Sequence, residues 1–230
     1  MVINIKKEFI NIIAECQKEY DKNLKNNKIM FITEENNKIN KEEVFFGKRN
    51  FYHLTGIRAF NNTGSELSPS NFYYLLSRGR IDRLNIERKD NTTDLKLQVL
   101  PQLMKIDRTA NMIGNYFSTN LFLQTEKVAG NINSCMGFVK DKKMNIYVPN
   151  TALNLDLRSI TSTRNKIVAI LKKNINDKLY KNITYLKVQY EIKDILKNPE
   201  VNKNINLKEI YSKDKLINKK IFNFYQNISK

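Results

Sequence analysis

The chain has 230 residues, 41% of them hydrophobic and 10% aromatic, which is enough for one sizeable buried core. Lysine and arginine number 40 against 23 acidic residues, a formal net charge of +17, and more than half of the excess lies in residues 151–230. A single histidine and two distant cysteines, Cys16 and Cys135, exclude a disulfide framework and a conventional His/Cys zinc site. No apolar run approaches the roughly 18–20 residues of a membrane span, and charges interrupt the first residues where a secretory signal would be apolar. Seven glycines in the whole chain argue against phosphate-loop and dinucleotide-binding folds. The expected setting is a reducing cytoplasm, in a bacterium or a phage-infected bacterium.

In chain order, Ile5, Phe9, Ile12, Cys16, Tyr20 and Leu24 recur at three- and four-residue steps and predict an amphipathic first helix. Ile29–Thr33 and Val44–Phe46, separated by a polar turn, predict a hairpin of two strands. Gly47 and Gly56 bracket His53 and place it near the end of an element. Ser68-Pro69-Ser70 starts a helix that Gly79 ends, leaving Arg78, Arg80 and Arg83 around its terminus. Residues 95–117 predict a helix that Pro101 kinks or restarts. Leu121–Ala129, Ser134–Val139 and Met144–Val148 read as a three-strand meander stopped by Pro149. Lys166–Lys173 and Ile183–Val188 add two strands, with a helix as the rival reading of the first. From Tyr190 onward the chain reads as a basic helical tail, with a linker at Pro199 and Asn202–Asn206.

The Lys, Asn and Ile content fits AT-rich coding, which raises lysine but does not explain the Arg78/Arg80/Arg83 group. That group is a candidate contact for an RNA backbone. Carboxylates are scattered among lysines rather than convergent, so a metal-dependent nuclease is a poor fit and neither a metal nor a cofactor is expected. Metal-free RNA cleavage needs fewer parts: a base for the 2′-hydroxyl, cations for the charged phosphorane and an acid for the leaving oxygen. His53 is the residue suited to the base or acid role. Arg158, in Asn154–Thr161, and Lys172 and Lys173, with Tyr180, Thr184 and Tyr185, are candidate partners and RNA contacts. Each has an ordinary structural alternative: Arg158 paired with Asp156, the two lysines as solvated strand-end charges, the tyrosines as packing and Thr184 as a strand threonine.

Phe46-Gly47-Lys48-Arg49-Asn50-Phe51-Tyr52-His53-Leu54-Thr55-Gly56 resembles the F-x₃-N-F-x-H-L-T-G signature of the fourth subgroup of phage Barnase–EndoU–colicin–RelE-like nuclease domains. Pro149–Arg158 resembles that family's P-x₃-L-x₂-D-x-R stretch, and Ile167–Lys173 with Tyr180 and Ile183-Thr184-Tyr185 resembles its closing strand pair. The similarity spans residues 40–188. It implies an α+β fold with an antiparallel sheet, about five or more strands packed with helices, flanked by helical N- and C-terminal extensions. It divides the chain into residues 1–27, 28–188 and 189–230. It also implies a metal-independent, toxin-like ribonuclease activity and points to His53, Thr55, Arg158, Lys173 and Thr184 as catalytic. The expected partner is RNA, with a host defence complex or an immunity protein as a further one and no membrane. The alternative is a non-catalytic basic protein of phage or mobile-element origin that blocks a defence complex.

Overall fold

The computed structural model describes residues 7–81, 84–117 and 123–228. Helix α1 (Lys7–Asn23) leads into strands β1 (Asn27–Glu35) and β2 (Lys38–Phe46). Their two-residue turn is Asn36-Asn37, both at positive φ (49° and 61°), the backbone a tight hairpin demands and asparagine tolerates. Helix α2 (Asn50–Thr55) and strand β3 (Ile57–Phe60) follow. Helix α3 (Pro69–Ser77) is capped by Ser68, whose side chain accepts from the Asn71 N–H. Next come β4 (Asn85–Arg88), α4 (Thr93–Leu103) and α5 (Ile106–Thr109), then β5 (Met112–Asn115), β6 (Lys127–Gly130), β7 (Cys135–Asp141) and β8 (Ile146–Leu153). Strands β9 (Asn165–Asn174) and β10 (Asn182–Leu186) precede three tail helices, α6 (Ile192–Ile195), α7 (Pro199–Asn202) and α8 (Lys215–Ile228).

Eight of these strands form one sheet in the order β1-β2-β8-β7-β6-β5-β9-β10, and β9 also pairs with β1, so the sheet closes on itself. Its ladders are antiparallel except β2–β8, a parallel contact through Val44 and Tyr147. Strands β3 and β4 form a separate hairpin. The fold is therefore α+β, as expected. One face of the sheet, with Ile29, Phe31, Phe46, Phe138 and Ile170, packs against α1, α2 and α4. The other face, with Met30, Ile32, Val168, Leu171 and Ile183, is covered by the tail through Ile192, Ile195, Val201, Ile217 and Ile221. Strands β1 and β9 are thus buried on both faces, which is why they read as unbroken apolar runs rather than alternating ones.

Four expectations are corrected. Residues 112–115, expected in the long helix, form β5, because four residues can match helical spacing without being a helix. The strand expected over 121–129 is reduced to Lys127–Gly130 among the described residues, and Leu121 and Phe122 lie outside them. Pro149 does not stop β8. It sits opposite Phe138, where the register shifts by a bulge, and a bulge is where a residue without an N–H is accommodated. The supposed linker at Asn202–Asn206 is tied down: Asn204 accepts from the Tyr180 N–H at 2.7 Å and Asn206 donates to the Tyr180 carbonyl at 2.8 Å.

Candidate active site

How the chain enters and leaves α2 decides what His53 faces. Asn50 Oδ1 accepts from the Gly47 N–H at 2.9 Å, and Asn50 Nδ2 donates to the Pro149 carbonyl at 3.1 Å. These bonds fix the β2–α2 corner to β8. Phe51 and Leu54 are fully buried, and the Phe51 ring lies 5.2 Å from Tyr20 and 5.8 Å from Tyr73. Thr55 is buried and donates to the Tyr52 carbonyl at 2.7 Å. Gly56 ends the helix at φ 66°, a left-handed conformation that costs other residues about 1–2 kcal/mol. Its carbonyl accepts from Thr93 Oγ1 and from the Lys89 N–H at 3.1 Å, and a Cβ there would meet Lys96 Cδ at 2.7 Å. Every other fixed position of the signature is thereby engaged in packing or backbone bonds, while Lys48 and Arg49 in its variable positions are exposed. His53 is left open.

Its ring stands edge-on to Tyr52 at 6.1 Å, and neither ring nitrogen bonds a described residue. It opens on a cleft of about 400 Å³ lined by Tyr52, Arg58, Glu66, Lys89, Asp90, Lys96, Gln124, Thr125, Asn150 and Thr151. Partial desolvation, then the charge of Lys89, hold the His53 imidazole below the ordinary histidine value. It is therefore neutral at neutral pH and able to accept a proton. Desolvation likewise lowers Lys96, against the opposing pull of Asp90 and with the help of Lys89. Arg58 bonds Glu66 at 2.6 Å, and Asp90 accepts from the Thr92 N–H at 2.8 Å within its own turn. The carboxylates of the cleft are thus occupied, while the Lys89 and Lys96 ammoniums bond no described side chain. Asn150 Nδ2 donates to the Gln124 carbonyl at 2.6 Å, and its Oδ1 accepts from Thr125 at 3.2 Å, which fixes the far wall.

The other expected site residues lie elsewhere. Arg158 is exposed and grips Asp156 through Nε at 3.0 Å and Nη2 at 2.7 Å, on the short 3₁₀ turn Leu157–Ser159 that Asp156 itself caps. Lys173 donates to the Lys178 carbonyl at 2.7 Å and lies 4.8 Å over the Tyr180 ring. Lys172 donates to the fully buried Asp107 at 2.6 Å, and Thr184 donates to the Asp107 and Ile170 carbonyls. Tyr185 is half-buried at the edge of the main core, and burial pushes its phenol up. Arg78 stacks 5.2 Å over the exposed Tyr74 ring beside Arg80, and Arg83 lies outside the described residues. None of the described ones lines the His53 cleft. A larger hollow of about 490 Å³ opens at the mouth of the closed sheet, but its Lys127 is spent on Glu42 at 2.6 Å and Asn115 at 3.0 Å. Lys89, Lys96, Arg58 and Asn150 were not apparent from sequence. They reach His53 through tertiary packing, and no spacing announces them.

Residues 12–189 match the family described as phage-Barnase-EndoU-ColicinE5/D-RelE like nuclease4. The chain belongs to this family. No curated protein and no solved structure matches it. The span of the nuclease4 match is wider than the expected 40–188, since it takes in most of α1. The structure accounts for that: Ile13, Cys16, Tyr20 and Leu24 of this segment are part of the core on which α2 rests.

Proposed function

We propose that this nuclease4-family chain is a metal-independent ribonuclease whose reaction centre is the His53 cleft. His53 takes the proton of a 2′-hydroxyl, the 2′ oxygen attacks phosphorus, and the bond from phosphorus to the 5′ oxygen breaks. The products are a 2′,3′-cyclic phosphate and a 5′-hydroxyl. Lys89 and Arg58 stabilise the charge gathered on the phosphorane, and Lys96, whose lowered pKa makes it a better acid than an ordinary lysine, protonates the leaving oxygen. Arg78 and Arg80 are proposed contacts for more distant phosphates. Arg158, Lys172, Lys173, Thr55 and Thr184 have no part in this step.

One observation carries the reading. Among the fixed positions of the signature, His53 alone is exposed and unbonded, and it is flanked by Lys89 and Lys96, whose ammoniums bond no described carboxylate. The test is cleavage of labelled single-stranded RNA by purified protein in EDTA. The wild-type chain should yield cyclic-phosphate ends and leave the matching DNA intact, since DNA lacks the attacking hydroxyl. His53→Ala should lose roughly 10²–10⁴-fold in rate. Equal rates for the two proteins, or no cleavage by the wild type, would overturn the assignment.

A further inference from the structure

Away from the cleft, three lysines from three strands line one groove, and a fourth stands beside it. Lys28 of β1, Lys41 of β2 and Lys140 of β7 line a hollow of about 370 Å³ with Ile146 and Tyr147 of β8. Lys173 of β9 stands directly opposite Lys28 in the β1–β9 ladder. Like charges facing each other across neighbouring strands destabilise a sheet, so this pair works against the fold that holds it. The two carboxylates that line the groove offset it only in part. Glu42 is bound to Lys127 at 2.6 Å, and Glu43 accepts from the Tyr180 hydroxyl at 3.1 Å and pairs with Lys41 at 4.0 Å. Desolvation, then the charge of Lys28 and more weakly that of Lys41, lower Lys173 against the opposing pull of Glu43 and Asp177. A groove in which Lys28 and Lys140 bind no described carboxylate keeps a cationic excess that a polyanion completes.

We propose that the groove of Lys28, Lys41 and Lys140, with Lys173 beside it, binds the phosphate backbone of the RNA whose scissile bond lies in the His53 cleft. The assignment rests on the ribonuclease reading for its ligand. Strand β8 joins the two places: Ile146 and Tyr147 line the groove, and Asn150 and Thr151 line the cleft. At roughly 3.3 Å per residue the two are on the order of 10 Å apart along the strand, and because Lys28, Lys41 and Lys173 share the face that the tail covers, an RNA chain that occupies both passes around the end of the sheet.

The experiment compares the full chain with Lys28→Gln/Lys41→Gln/Lys140→Gln, each also carrying His53→Ala so that RNA is bound but not cut. A second variant, Lys140→Gln alone, alters only an exposed position and guards against misfolding of the triple variant. A charge-matched control carries Lys213→Gln/Lys215→Gln/Lys219→Gln in the tail. Binding of a labelled single-stranded RNA of twenty nucleotides is titrated against salt. The groove variant should lose at least tenfold in affinity, and its dependence of log K on log salt should become shallower by about two, at roughly 0.7 per lost phosphate contact. Lys140→Gln should lose about one third of that slope, and the tail control should keep the wild-type slope. In a His53-intact background, cleavage of a dinucleotide that spans only the cleft should be unchanged. An unchanged slope in both groove variants, or an equal change in the tail control, overturns the groove. If His53→Ala leaves cleavage intact while the groove slopes shift, the cleft assignment fails and the groove stands.

Discussion

Lys89 acts on His53 through charge rather than contact. Its ammonium disfavours the imidazolium and so works in the same direction as desolvation. A base held below its ordinary pKa is deprotonated over a wider acidic range, so the acid limb of kcat/KM should lie below the value for a free histidine. Lys89→Gln removes one of the two causes. The histidine pKa then rises, and the acid limb should move to higher pH, while a lost phosphate contact lowers the plateau. The pH profiles of the two proteins on a dinucleotide check this. A limb that stays in place or moves to lower pH would show that the histidine does not set the profile.

At the scale of elements, short polar ties decide which parts meet. Asp107 on α5 is fully buried and binds Lys172 on β9 at 2.6 Å and Arg108 at 3.2 Å, while its carbonyl receives the hydroxyl of Thr184 on β10. Asn23, at the end of α1, joins the same knot by accepting from Arg108 at 2.9 Å. Replacing Asp107 by Ala leaves the mostly buried Lys172 without its counter-charge, a change that costs about 3–5 kcal/mol. Urea unfolding should show that loss, and RNA cleavage per folded molecule should stay near wild type in Lys172→Met, whose apolar stem keeps the packing. A large fall in turnover with intact folding would instead return Lys172 to the reaction. Thr184 and Lys172 were drawn from sequence because their types suit phosphate chemistry, yet their partners sit on α5, a four-residue helix that no periodicity could mark. The elements that were legible had physical reasons to be so. Strands β1 and β9 are buried on both faces, and α3 carries a serine cap followed by proline. The His53 segment was legible as a bend because Gly56 must adopt positive φ. Lys96 was not, because it belongs to the site only through the packing of α4 against that glycine.

Over the whole molecule, the nuclease4 match ends at residue 189, but the core does not. Met30, Ile32, Val168, Leu171 and Ile183 on the outer sheet face are fully buried, and what covers them is the tail, through Ile192, Ile195, Val201, Ile205, Ile217 and Ile221. Lys220 reinforces the cover by donating to the Val188 and Tyr190 carbonyls at 2.5 Å each. Burying one such aliphatic side chain is worth about 1.5–3 kcal/mol, while a folded domain is stable by only about 5–15 kcal/mol in total. Uncovering several of them together exceeds that margin. A chain ending at Gln189 should therefore lose cooperative unfolding, bind hydrophobic dye and elute as aggregate, even though it retains His53, Lys89 and Lys96. Circular dichroism melts and size-exclusion chromatography of the truncated and full chains measure this. A truncated chain that melts cooperatively within a few degrees of the full one would mean that β1 and β9 are stable with one face open to water, and that the tail serves some purpose other than closing the core.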